Sequence, residues 1–164
     1  MIIKNARRTA VALALLAVGA VSAQAQTATQ TVNFSVSAIN QVSVSAASTT
    51  LAITTAVAGS APTSVSSTGL TWAVTTNQST AKITASLGTA MPTGLTLSAT
   101  LGAPAGGTSA GIKPLALAAV DLVTGVTKVA QAAMALTYTL DATPAAGVVA
   151  ASSTVVTYTI TGGT

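Results

Sequence analysis

The sequence predicts an all-β fold: a single antiparallel β-sandwich of immunoglobulin-like or related Greek-key type behind an N-terminal signal helix. Three observations carry that expectation. Apolar residues recur at every second position in several short segments, the segments are separated by Gly, Pro and Ser clusters, and no long stretch after residue 25 keeps a helical period.

The first element is not part of the sandwich. Lys4, Arg7 and Arg8 make a basic start, VALALLAVGAV is an apolar stretch too short to span a bilayer, and Ala23-Gln24-Ala25 is a small-x-small cleavage site. Residues 1–25 therefore read as a signal peptide, which sends the chain to the cell surface or the medium. No second long apolar run follows, so no transmembrane segment is expected in the mature chain. Removing residues 1–25 from 164 leaves 139, enough for one domain, 26–164, that buries about two-thirds of its unfolded surface.

Cleavage also removes three of the six basic residues. Lys82, Lys113 and Lys128 then stand against Asp121 and Asp141, a net charge of +1, so the basic isoelectric point of the full chain gives no reason to expect nucleic acid as a partner. The chain has no cysteine, so packing and strand pairing must hold it together without disulfides. With half its residues apolar it is also too hydrophobic to stay disordered.

The strands follow in order. Val32, Phe34 and Val36 alternate with polar residues across 30–39, a candidate edge or donor strand. QVSVS at 41–45 and LAI at 51–53 are shorter candidates. Leu70, Trp72 and Val74 share one face, as do Ile83, Ala85 and Leu87, and then Leu95, Leu97, Ala99 and Leu101. Met134, Leu136, Tyr138 and Leu140 form another such row, and Val156, Tyr158 and Ile160 the last. Trp72, Val74, Ile83, Leu97, Leu136, Tyr138, Tyr158 and Ile160 are the candidate core, and Phe34 is expected to pack with apolar neighbours too. Met91-Pro92-Thr93-Gly94 reads as a turn with Pro at its second position. Residues 114–125, with Pro first and Gly last, read as a short strand followed by one helical turn.

Chemistry is sparse. Without His, Cys or Glu the chain lacks the usual general base, thiolate nucleophile and most metal-ligand sets, which leaves no catalytic, cofactor-binding or metal-binding residue to nominate. Asp121 and Asp141, 20 positions apart, read as solvated groups, Asp121 within the segment 114–125 and Asp141 closing a strand at a turn. No partner accompanies any Ser that would activate it, so an enzyme is not expected. Asn33 and Asn77 sit in glycosylation-type sequons, a pattern that is frequent by chance.

The signal peptide, the TVNFSVSA segment at the mature N-terminus, the low charge and the Tyr-bearing segments LTYTL and VTYTI together resemble bacterial secreted β-sandwich proteins of the fimbrial-subunit and spore-coat-U-like kind. The chain departs from many of them in having no cysteine pair. The resemblance implies a sandwich lacking one strand, completed by the N-terminal strand of the next subunit; the residues alone fit equally a strand over 30–39 that closes its own sandwich. A mature chain with five charged residues also has few of the side chains that guard sheet edges against pairing. The expected function is thus a non-enzymatic structural subunit of a self-associating surface assembly, with an acceptor groove beside Val155–Ile160. A monomeric adhesin using its Gly- and Ser-rich loops is the alternative. An ice-binding face built on the Thr rows TLSAT and TYTIT is a remoter one, since Thr is also an ordinary strand former on a solvated face.

Overall fold

The computed structural model of the protein describes residues 25–163. The signal peptide expected over 1–25 falls outside them, apart from Ala25. The chain divides into two compact units, Met1–Ser35 and Val36–Thr164, and every strand described belongs to the second. The strands are β1 (Asn40–Val44), β2 (Val65–Ser66), β3 (Leu70–Thr76), β4 (Ala81–Leu87), β5 (Leu95–Leu101), β6 (Thr108–Ser109), β7 (Lys113–Pro114), β8 (Val120–Val126), β9 (Val129–Ala142) and β10 (Val156–Thr161). Every pairing between them is antiparallel.

Two sheets result. One has the order β1-β3-β9-β5-β7, with β2 also paired to β9; the other has the order β10-β4-β8-β6. From β3 onward each strand passes to the opposite sheet, so consecutive apolar rows face each other across the sandwich. This is the all-β sandwich that the period-two rows predict. Trp72, Val74, Ile83, Leu101, Leu122, Val123 and Val126 are almost completely buried between the sheets. The Trp72 indole N–H donates to the Gly102 carbonyl at 3.2 Å, so the largest core residue leaves no polar group unsatisfied.

Three local expectations are corrected. Residues 114–125 contain no helical turn: β7 ends at Pro114 and β8 begins at Val120. Residues 51–53 form no strand, although Leu51 and Ile53 are half-buried. The turn before β5 is displaced by one residue: the Leu95 N–H donates to the Pro92 carbonyl, which puts Gly94 third in the turn with φ +83. That position of a type II turn requires a positive φ, and Gly adopts it without strain. In β9 the inward row is interrupted by a bulge, with Ala133 at φ 57 and the β3 pairing shifting by one between Trp72 and Val74. Met134, Leu136 and Tyr138 therefore face inward, and the same parity does not extend back to Val129.

Candidate functional site

The largest departure from expectation is at the N-terminus. Residues 25–39 form no strand, and β1 begins only at Asn40. Val32, Phe34 and Val36 are 71%, 92% and 78% exposed, so Phe34 is not the packed aromatic its neighbours suggest. Alternation makes a segment fit to be a strand, but a strand also needs a ladder partner, and no strand pairing among the described residues includes residues 30–39.

Where this arm joins the sandwich it is held firmly. The Ile39 N–H donates to Asn77 Oδ1 at 2.8 Å, Asn77 Nδ2 donates to the Ser37 carbonyl at 2.8 Å, and the Asn77 N–H donates to the Ile39 carbonyl at 3.3 Å. The side-chain amide of Asn77 thus acts as one more step of the β1–β3 ladder beyond the Asn40–Thr76 pair. Thr76 Oγ1 donates to Asn40 Oδ1 at 2.7 Å, and Gln78 Nε2 donates to Asn77 Oδ1 at 2.7 Å, which fixes the orientation of both amides. The sequon at Asn77 gave no hint of this role.

At the other end of the sandwich the two sheets part. A cleft of about 570 Å³ opens between β9 and β10, with Leu70, Leu97, Leu136, Tyr138 and Leu140 on one side and Val155, Val156 and Tyr158 on the other. The coil segments that follow Val44 and precede Val156 form its rim. The outer edges of β1 and β10 have no partner strand among the described residues, and these two strands lie near each other across the sheets. An extended segment entering the cleft would therefore find the unpaired edge of β10, and of β1 only its last residue Val44, beside apolar side chains.

Tyr138 and Tyr158 mark the boundary between the closed core and this open part. The Tyr158 hydroxyl donates to the Tyr138 hydroxyl at 2.7 Å, joining β9 of one sheet to β10 of the other. Burial raises the pKa of both phenols. In Tyr158 the donated hydrogen bond and the nearness of Tyr138 raise it further, whereas in Tyr138 the accepted bond partly offsets the rise. Tyr138 keeps its own hydroxyl proton for another acceptor.

Of the candidate core residues, Trp72, Val74, Ile83 and Leu136 lie in the core. Leu97, Tyr138, Tyr158 and Ile160 are half-buried against it, and all of these except Ile160 line the cleft. Asp121 accepts from Lys82 Nζ at 3.0 Å on the surface, and Asp141 accepts from the Ser64 hydroxyl, so the two carboxylates are engaged separately. Among the described residues no three His, Cys, Asp or Glu side chains cluster, and no helix is long and apolar enough to cross a membrane. No family model matches the chain, and neither curated proteins nor solved structures give a match.

Proposed function

We propose that the protein is a non-enzymatic structural subunit of an exported surface assembly, and that copies join when the N-terminal arm of one fills the cleft of the next. The observation that carries this reading is one of reach. Asn77 holds Ser37–Ile39 at the Thr76 end of β3, whereas the cleft begins near Val44 and Leu70 at the other end. From Ser37 to the level of Val44 is seven residues, about 23 Å when extended at ~3.3 Å per residue. Val36 adjoins Ser37, and even Val32, five residues away, can extend at most about 18 Å from it. The apolar stripe is thus too close to its own root to enter its own cleft, and a second copy is the natural acceptor.

The chemistry of the two parts agrees. Val32, Phe34 and Val36 present one apolar face and expose it to water, at a cost removed by burial worth about 1.5–3 kcal/mol per side chain as an upper figure. The cleft offers Leu, Val and Tyr side chains beside the unpaired outer edge of β10. Weak protection of those edges by charge favours the same outcome, and the resemblance to fimbrial and spore-coat-U-like subunits points toward it as well.

The test uses mature protein from Gln26 and a form lacking residues 26–36, separately and mixed. Full-length protein is expected to form concentration-dependent ladders, and the truncated form to remain single and to shorten the ladders by capping them. A full-length protein that stays monomeric at high concentration would reject donation and favour the adhesin reading.

A further inference from the structure

We infer that successive copies meet end to end with no linker between them, and that Asn77 is the positioning residue that keeps the joint straight. This rests on the donated-strand reading and adds the geometry of the contact. The stripe from Val32 to Val36 spans four residue steps, about 13 Å, whereas the open floor beyond the Tyr138–Tyr158 bond, from Tyr138 to Leu140, spans two. A stripe entering tip first therefore meets the closed core while Val36 is still at the mouth of the cleft. The next residue, Ser37, is already held by Asn77 in its own domain. One peptide unit, about 3.8 Å between Cα atoms, is all that separates acceptor from donor. The donor end carrying Asn77 must then press on the rim of the acceptor cleft.

Both ends carry surface suited to that contact. At the donor end a shallow depression of about 340 Å³ is lined by Ile39, Asn77, Lys128 and Val129, with Ile39 41% exposed. On the cleft side Val155 is 70% exposed. The C-terminal strand finishes at the donor end too: a Cβ on Gly162 would lie 2.6 Å from Asn40 Nδ2, so backbone there is packed closely against the start of β1. The root of the arm is thus set in a rigid part of the fold, where the three Asn77 hydrogen bonds deny the chain a hinge. The partner that fits this surface is a second copy of the chain in a head-to-tail row, whose contact is heterologous and repeats without closing.

Electron microscopy of three filaments tests it: the mature protein, Asn77→Ala, and a form with Gly-Ser-Gly-Ser inserted between Val36 and Ser37. The unaltered protein is expected to give straight rods with a constant repeat. Asn77→Ala is expected to keep the repeat and lower the persistence length at least twofold, with the melting temperature of the arm-deleted domain tracking any general loss of stability. The insertion lies outside the sandwich and leaves its folding intact; it is expected to lengthen the repeat by up to about 13 Å and to give bent chains. Rods of both variants as straight as the original would overturn the direct joint while leaving donation standing. Absence of filaments from all three proteins would overturn donation, and the joint with it.

Discussion

A hydrogen bond between two phenols, Tyr158 to Tyr138, ties the sheets together where the core gives way to the cleft. The fold keeps both phenols neutral beyond the pH at which they ionise in an unfolded chain, since burial disfavours the phenolate. Their contribution to stability is therefore fully present below about pH 10 and is lost as pH rises above it. Melting temperature measured from pH 7 to 12 is expected to fall above about pH 10, and in Tyr158→Phe to fall roughly half as steeply. At pH 7 the same substitution is expected to cost about 1 kcal/mol for the lost hydrogen bond. An alkaline limb unchanged in Tyr158→Phe would show that other groups set it. Gly94 makes a second residue-scale prediction. At φ +83, a Cβ there would lie 2.5 Å from the Ala146 backbone nitrogen and 2.9 Å from Thr143 Oγ1. Gly94→Ala combines backbone strain with a clash against main chain and is expected to cost more than about 1 kcal/mol in chemical denaturation.

At the scale of elements, the arm is the segment whose fate sequence alone left open. Its period-two row equals those of β3 or β5 in quality, yet those rows are strands and this one is not. Periodicity reports which face a segment can bury and is silent on whether a partner lies within reach; that depends on where Asn77 fixes the root. The rows around Trp72, Ile83 and Leu136 were legible because each one is covered on its apolar side by the opposite sheet. The segment 114–125 was misread because Pro and Gly at its ends fit a helix and a strand-to-strand connection alike. Neither the Tyr–Tyr bond nor the Asn77 clamp had any signal in spacing, since both join residues brought together only by the fold. One consequence is measurable. Because residues 26–36 are exposed and unpaired, deleting them is expected to change the unfolding free energy of the isolated domain by less than about 1 kcal/mol. A synthetic peptide covering 26–38 is then expected to bind the deleted domain and raise its melting temperature with peptide concentration. A deleted domain that unfolds on its own would mean that the arm completes its own sandwich.

For the whole molecule, the proposed donation makes chain length set the balance between closing on itself and joining a neighbour. A tethered arm able to reach its own cleft would act at an effective concentration in the millimolar range, far above a protein solution at micromolar concentration, and self-closure would then dominate. On the proposed donation the unaltered chain avoids this outcome because Ser37 is clamped about 23 Å from the level at which the cleft begins, at ~3.3 Å for each intervening residue. Twelve flexible residues inserted between Val36 and Ser37 add up to about 40 Å of reach, enough to reverse direction and lay the stripe along the floor of the same molecule. That variant is expected to run as a monomer at every concentration, to melt higher than the arm-deleted domain, and to neither extend nor cap assemblies of the unaltered protein. The four-residue insertion lets Val36 extend at most about 18 Å from Ser37, too little to seat the whole stripe, and is expected still to polymerise. If the twelve-residue variant instead forms ladders like the original, reach is not what selects the neighbour, and the cleft must discriminate its own arm from another copy's by some feature other than distance.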